Sequence, residues 1–300
     1  MTATRVYNTW PSNNIFLCRG RLITGPDKRY FFLSLSFMLV TISFHLGFSA
    51  DYIAHDIHPS ALAMEIWLIL LVLSSFLTCA FMDAGIIPRR SKPSELDQNK
   101  NPLAKHPKSV KITCGGVDMT MKYCNTCNIY RPPRCSHCSV CDNCVDKFDH
   151  HCPWIGNCVA RRNYRFFLTF IFSTTTTCLY LAAMCITEIT FRTKDSRKEG
   201  ASAFGDALGD NPVALLVALF ALFAASAVGG LSLFHVYLNC NNVSTNEQLK
   251  GSYKKIGNPF WEGYCMYMVN SLCQSKRASF IHPRRVLSRM EVIDSFDPDV

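Results

Sequence analysis

Between Cys124 and Cys158 the chain carries eight cysteines (Cys124, Cys127, Cys135, Cys138, Cys141, Cys144, Cys152, Cys158) and three histidines (His137, His150, His151). Cys124-x2-Cys127, Cys138-x2-Cys141 and Cys141-x2-Cys144 have the spacing at which one backbone knuckle delivers two thiolates to one tetrahedral ion. A structural zinc site takes about four N/S ligands, so two sites use about eight of these candidates. A closed structural site has no use for the remainder, and the chemistry must be sought there.

The local backbone separates ligands from remainder. Pro153 follows Cys152, and a residue before proline is held out of the helical region in an extended conformation. In an extended chain alternate side chains share a face. His150 and Cys152 then point one way and His151 the other. A histidine and a cysteine on one face form a base and nucleophile pair, and the histidine opposite is left for metal. Asp149 stands where it would orient the His150 imidazole or stabilise its charge. On spacing alone another arrangement stays open, in which all three are metal ligands or Cys152 is an idle buried thiol.

The same residues carry a family resemblance. The knuckles, Arg131-Pro132-Pro133-Arg134, His137-Cys138, the tetrad Asp149-His150-His151-Cys152, Pro153-Trp154, Asn157-Cys158 and Asn163-Tyr164 together resemble the DHHC-type protein S-acyltransferases, or palmitoyltransferases. The resemblance implies two interleaved Cys3His zinc sites. One would be Cys124, Cys127, His137 and Cys144, the other Cys138, Cys141, His151 and Cys158. Cys135 stays outside both sets as a spare thiol. It further implies two structural zinc ions, acyl-CoA as co-substrate, and an acyl-enzyme on Cys152 with His150 as base.

Two later segments fit the same family. Ser244-Thr245-Asn246-Glu247 stands where the family has Thr-Thr-x-Glu, so Thr245 and Glu247 match and Ser244 keeps the hydroxyl. By resemblance this segment packs beside the tetrad, with Thr245 bonded to Asp149; on its own it reads as a capping box. Asn258-Pro259-Phe260 resembles the family's Asn-Pro-aromatic element. Arg131, Arg134, Lys147, Arg161 and Arg162 are the candidates to hold the phosphates of CoA. At Asp83-Ala84-Gly85 the family usually has Asp-Pro-Gly, and the departure leaves Gly85 as a helix C-cap.

The elements that must position this segment are membrane helices. The chain is 49% hydrophobic and 18% charged, a balance that suits a membrane protein with polar loops. Apolar runs at 31–50, 61–82, 166–189 and 212–238 are each long enough to cross a hydrocarbon core of ~30 Å at ~1.5 Å per residue. The net charge of +9 is read as cytosolic loops beside anionic lipid and not as nucleic-acid binding. Lys and Arg are absent from 51–60 and abundant in 83–165 and in the tail, which places both termini and the central loop in the cytosol. The loop 191–211 opposes this with Arg192, Lys194, Arg197 and Lys198, but is outnumbered. The chain has sixteen cysteines, and the CxxC spacing of those in the cytosolic loop points to metal and thiol chemistry, not disulfides.

The expected fold is therefore an α-helical polytopic membrane protein: four transmembrane helices with a cytosolic two-zinc cysteine-rich domain between helices 2 and 3. Its segments are 1–30 (cytosolic), 31–82 (helices 1 and 2), 83–164 (linker and zinc domain), 165–238 (helices 3 and 4) and 239–300 (cytosolic). Trp10, Phe16 and Leu17 alternate with polar residues, suggesting an interfacial or short hairpin structure, and a hairpin is expected across Gly115-Gly116. Residues 91–106 read as a linker and 279–300 as a loosely ordered tail. Within the apolar runs His45 and Glu65 either face the bundle or a wet cavity or lie near helix ends, the latter being the reading preferred for Glu65. The hydroxyls of 173–177 either bond back to their own helix or line a cavity for an acyl chain. Cys265 and Cys273 are candidate acylation sites or, equally, buried thiols. The sequon at Asn242 falls on the cytosolic side and is expected to be unused.

The expected function is transfer of palmitoyl from palmitoyl-CoA to accessible cysteines of cytosolic or membrane proteins, next to membrane lipid, in the Golgi, endoplasmic reticulum or plasma membrane. The alternatives are a membrane-anchored zinc scaffold and a RING-like ubiquitin ligase. The latter disagrees with the short step from Cys127 to Cys135 and with the lack of a CxxC after Cys158.

Overall fold

The computed structural model describes residues 4–90, 107–261, 263, 272–273 and 277–287. These fall into two units, one built from Arg29–Leu77 and Phe166–Tyr237, the other from Met1–Lys28, Thr78–Arg165 and Leu238–Val300. The expected linker at 91–106, Cys265 and the tail beyond 287 lie outside the described residues.

The elements run in the order β1 (Ile15–Leu17), β2 (Leu22–Thr24), α1 (Lys28–Tyr52), α2 (Pro59–Phe81), β3 (Ile86–Ile87), β4 (Ser109–Cys114), β5 (Val117–Cys124), β6 (Ile129–Tyr130), β7 (Ser136–Cys138), β8 (Asn143–Val145), β9 (His150–Cys152), β10 (Asn157–Val159), α3 (Tyr164–Asp195), α4 (Gly200–Asp210), α5 (Pro212–Cys240) and α6 (Thr245–Lys250). Four helical stretches are long and apolar enough to cross a membrane: Lys28–Ile57, Pro59–Phe81, Tyr164–Asp195 and Pro212–Cys240. The chain is thus an integral membrane protein by its helices.

In the helical unit large side chains face outward, with Phe223 and Leu233 both 72% exposed, as lipid-facing residues are. One cluster of its core is made of small and medium residues: Cys185 and Ile189 of α3 pack on Ala214, Val217 and Ala218 of α5. Phe31 stacks on Phe76 between α1 and α2. Thr175 meets Gly229, where a side-chain carbon would lie 3.4 Å from the threonine methyl. Ser173, Thr175, Thr176 and Thr177 donate to carbonyls of their own helix, so these hydroxyls answer mainly to their backbone.

Two sequence expectations are corrected in this unit. Glu65 does not sit at a solvated helix end: it pairs with His45 at 2.8 Å, the His45 and Glu65 side chains being 1% and 0% exposed, and Cys185 lies 3.5 Å from the other His45 nitrogen. A charged group in an apolar bundle persists when another helix supplies its partner. The second correction is at 191–211, where α3 runs on to Asp195 and α4 occupies Gly200–Asp210. Its three glycines make this segment read as a loop, yet Ala203 and Ala207, one turn apart, bury a helical face.

The other unit is built of short sheets. β3, β8 and β7 form one, β4, β5 and β6 a second, β9 and β10 a hairpin, and β1 and β2 another. Both hairpins are present, at Ile15–Thr24 and across Gly115-Gly116. Strands of two or three residues are marginal by themselves, and few large apolar side chains lie between them, so metal ligation must supply much of the folding free energy here, of order 10 kcal/mol per site.

Asp83 does more than end α2 beside a C-cap glycine. One carboxylate oxygen accepts the backbone N–H of Gly85 and of Ile86, each at 2.9 Å. The other accepts Arg162 at 2.6 Å and Ser279 at 2.5 Å. The stretch from Ser279 onward is consequently not a loose tail in its first residues: Ile281 is buried with Ile23 and Ile86.

Candidate active site and metal centres

The ligands gather in two clusters, Cys124, Cys127, His137 and Cys144, and Cys138, Cys141, His151 and Cys158, with each cluster's ligand atoms within 4.8 Å of one another. The sheets bring them together. β7 pairs with β8 so that His137 lies opposite Cys144, and β9 pairs with β10 so that His151 lies opposite Cys158. His137 Nδ1 is 3.6, 3.5 and 3.9 Å from the sulfurs of Cys124, Cys127 and Cys144. His151 Nδ1 is 3.6, 3.4 and 3.5 Å from those of Cys138, Cys141 and Cys158. A tetrahedron with Zn–S of ~2.3 Å and Zn–N of ~2.0 Å has edges of roughly 3.6 Å, so both donor sets fit zinc. In each case the other histidine nitrogen, Nε2, meets a carboxylate: Asp142 at 3.4 Å for His137 and Asp27 at 2.8 Å for His151. Such partners hold the tautomer and ring plane of a metal-bound histidine.

Strand alternation turns His150 and Cys152 to the other face of the hairpin, opposite Val159 and Asn157. The His150 Nδ1–H donates to Asp149 Oδ2 at 2.7 Å, and Cys152 is near enough to the ring to favour its charged form. Asp149 is buried and fully engaged. Its Oδ1 accepts the Thr245 backbone N–H at 2.8 Å and its Oδ2 accepts the Thr245 hydroxyl at 2.8 Å. Burial works against a charged imidazole at His150, but the hydrogen bond to Asp149 and the nearby Cys152 outweigh it and raise the pKa from 6.5 to about 9. At neutral pH this histidine therefore keeps a proton, the form it takes after accepting one from a thiol.

α6 is held in place by a buried ion pair. Arg134 donates to both Glu247 oxygens, at 2.8 and 2.7 Å, and to the side chain and carbonyl of Asn242, at 2.8 and 2.9 Å. Glu247 also closes the capping box with Ser244. Burial resists its ionisation, but Arg134 overrides this and keeps its pKa below the usual value. The guanidinium lies 4.9 Å from the Phe260 ring centre, and Asn258 donates to the Asn241 carbonyl at 2.7 Å, which fixes the Asn-Pro-Phe turn. Asn242, the sequon residue, is 3% exposed inside this knot.

The comparisons with known proteins agree with this geometry. A sequence model of the family described as DHHC palmitoyltransferase matches residues 117–252. The probable protein S-acyltransferase 6 of Arabidopsis thaliana is 40% identical over 275 residues, covering 86% of this chain and 65% of that protein. Palmitoyltransferase ZDHHC9 of Danio rerio is 36% identical over 271 residues, covering 86% of this chain and 68% of its own length. The chain belongs to the DHHC palmitoyltransferase family. Palmitoyltransferase ZDHHC14 of Mus musculus is 37% identical over 84% of this chain but 53% of its own length, so the chain spans between about half and two thirds of these relatives.

Within this DHHC chain several site residues carry no local sequence signal of their role. Asn157, directly across from Cys152, donates to the carbonyls of Ala80 and Met82 at 3.1 and 2.9 Å, and Asn163 donates to that of Cys79 at 3.2 Å. Two asparagines thus tie the reactive hairpin to the last turn of α2. Asp27 and Asp142 were likewise absent from the expected site; histidine with a carboxylate partner is a known habit of zinc sites, but Asp27 stands 124 residues from its partner.

The five CoA phosphate candidates part company. Arg134 and Arg162 are buried and ion-paired, to Glu247 and Asp83. Arg161 pairs with Asp146 at 3.0 Å. Burial, with Arg134 and Arg161 nearby, lowers the Lys147 pKa to about 6, so it is mostly uncharged at neutral pH. Arg131 lines an open pocket of about 390 Å³ with Lys108, Lys122 and Tyr123, and its buried Nε has no acceptor among the described residues.

Proposed function

We propose that this chain is a protein S-acyltransferase that carries a long-chain acyl group, palmitoyl by the names of its relatives, from acyl-CoA to cysteines of other proteins. The reading rests on one observation above all: His150, hydrogen-bonded to Asp149, shares with Cys152 the hairpin face turned away from the metal ligands. Cys124, Cys127, His137 and Cys144 would hold one structural zinc ion, and Cys138, Cys141, His151 and Cys158 the other. Bound there, zinc stiffens short strands and takes no part in the transfer.

The chemistry follows from this arrangement. With Asp149 accepting from Nδ1, His150 Nε2 is the nitrogen that exchanges a proton with Cys152. The Cys152 sulfur attacks the acyl carbonyl of the CoA thioester. The carbon–sulfur bond to CoA breaks, and the departing thiolate takes the proton from His150. A substrate thiol then gives its proton to His150 and attacks the acyl group, releasing the Cys152 thiolate. Each step exchanges one thioester for another, so no further energy source is required, and the covalent intermediate implies ping-pong kinetics. Thr245 is a positioning residue for Asp149; Glu247 and Asn258 secure its helix.

A nucleophile for this reaction must meet a water-soluble head group and a lipid-soluble chain. The bonds of Asn157 to the end of α2 support a place for Cys152 at the membrane boundary, on the side where Lys and Arg are concentrated and where both termini would lie in the cytosol. The membrane would be Golgi, endoplasmic reticulum or plasma membrane. Arg131, Lys108 and Lys122 are the cations best disposed to take CoA phosphates. Nothing observed favours a zinc scaffold or a RING-like ligase.

The test is incubation of purified protein with labelled palmitoyl-CoA. A hydroxylamine-sensitive label is expected on the wild-type chain and none on Cys152→Ala. Label that persists in Cys152→Ala would sink the proposal.

A further inference from the structure

The two metal sites differ in where their histidines find support. His137 leans on Asp142, five residues along the same knuckle, at 3.4 Å, and Asp142 also receives Arg89 at 2.6 Å. His151 leans on Asp27, which comes from outside the cysteine-rich segment altogether, at the shorter distance of 2.8 Å. The His151 Nδ1 faces three thiols, so Nε2 carries the hydrogen and Asp27 accepts it.

The segment leading to Asp27 is fitted to the same site at several points. The Asn13 N–H donates to the carbonyl of Cys141 at 3.2 Å. The Gly25 N–H and the Thr24 hydroxyl both donate to the carbonyl of Gly156, at 2.8 and 3.2 Å. A side chain on residue 25 would lie 2.6 Å from that oxygen and 3.1 Å from the Cys141 sulfur, a clash that excludes any residue but glycine without a shift of backbone. Gly156 closes the turn of the reactive hairpin, its own N–H donating to the Cys152 carbonyl at 2.9 Å. One short stretch therefore touches the backbone of a ligand cysteine, a ligand histidine and the turn that shapes Cys152.

We propose that Asp27 is a positioning residue of the second metal site and that residues 13–27 form its outer wall, so that one zinc ion, and the hairpin bearing Cys152, depend on a segment far from every motif. The part concerning Cys152 rests on the transferase reading; the part concerning the metal does not. Loss of a carboxylate partner to a metal-bound histidine typically costs 10- to 100-fold in metal affinity or activity.

The experiment uses the full chain purified in detergent with both zinc ions bound, challenged with excess chromogenic chelator. In Asp27→Asn one ion of two should be released ~10- to 100-fold faster than in wild type. Asp142→Asn should accelerate the other, and the double variant both, the two effects adding as for separate sites. In cobalt-substituted protein, Asp27→Asn should shift the ligand-field bands of one site. Asp27→Asn keeps the side-chain volume and decides the matter even where Asp27→Ala does not fold. Unchanged release of both ions, or equal acceleration of both, overturns the proposal. These readouts need no acyl transfer, so they decide even where the labelling experiment fails.

Discussion

On the hairpin of β9 and β10, His151 and Cys158 oppose each other across one side, while His150 with Val159 and Cys152 with Asn157 occupy the other. The first side is held from all around: three sulfurs at 3.4 to 3.6 Å and Asp27 behind the ring. The second is held by Asp149 and Thr245, and keeps Cys152 partly exposed. The difference teaches how a three-residue strand can carry reactive groups at all. Its ladder is too short to fix side chains by itself. Ligation on one face would supply the rigidity, and alternation with period two would keep the metal away from the proposed nucleophile on the other. Neighbouring residues should therefore fail in opposite ways when changed.

The largest contrast is between the two cysteines of the hairpin. Cys152→Ala should abolish acyl labelling while zinc content stays at two ions per chain and the thermal midpoint stays near that of wild type. Cys158→Ala should lose an ion and the fold with it, since a structural site contributes of order 10 kcal/mol. Elemental analysis with a thermal melt separates the cases. Metal lost from the Cys152 variant would show that this sulfur is a ligand.

The histidines sharpen the same contrast. His150→Ala should slow labelling by ~10²- to 10⁴-fold, the usual worth of a general base, with both ions retained. His151→Ala should lose one ion. The reverse pattern would mean that the two faces have been exchanged.

Much of this site was legible because its signals are local. Ligand spacing, the proline after Cys152 and alternation along His150–Cys152 lie within one short stretch. The supports were not, because each acts across a long separation. Asp27 reaches His151, Asn157 reaches Ala80, and Arg134 reaches Glu247 over 113 residues, and no periodicity encodes such pairs. The arginines show the cost of reading charge by composition. Arg131, Arg134 and Arg162 look alike in sequence, yet two are buried in ion pairs and one lines an open pocket. The four apolar runs were plain from length alone, whereas α4, with its glycines, was hidden. His45 and Glu65 each looked misplaced until seen together.

A smaller effect tests what Asp149 does for the reactive face. The His150 pKa is raised to about 9, so its imidazolium is present below that value and is lost as pH rises through it. Any stability it contributes is complete below about 6.5, the ordinary histidine value, and lost over the same rise. Labelling should accordingly decline as pH rises through about 9. In Asp149→Asn, which removes the charge but keeps the shape, that decline should move toward pH 6.5 while zinc content is unchanged. A decline that stays in place would mean that Asp149 supports only α6.

The smallest expected effect concerns the acyl donor. Arg131→Ala touches neither face of the hairpin, and its pocket with Lys108 and Lys122 is open. A cation that meets the CoA phosphates equally before and during transfer contributes uniform binding, which changes KM and leaves kcat alone. A charge-assisted contact of ~1.5 kcal/mol corresponds to about a tenfold rise in KM for palmitoyl-CoA. The rise should shrink at high salt and should be absent for a short acyl thioester without the nucleotide, because the missing contact is with phosphate. A fall in kcat, or an equal effect on both donors, would instead place Arg131 in the support of the first metal site, where its backbone N–H already joins Lys122 across the sheet that ends in Cys124.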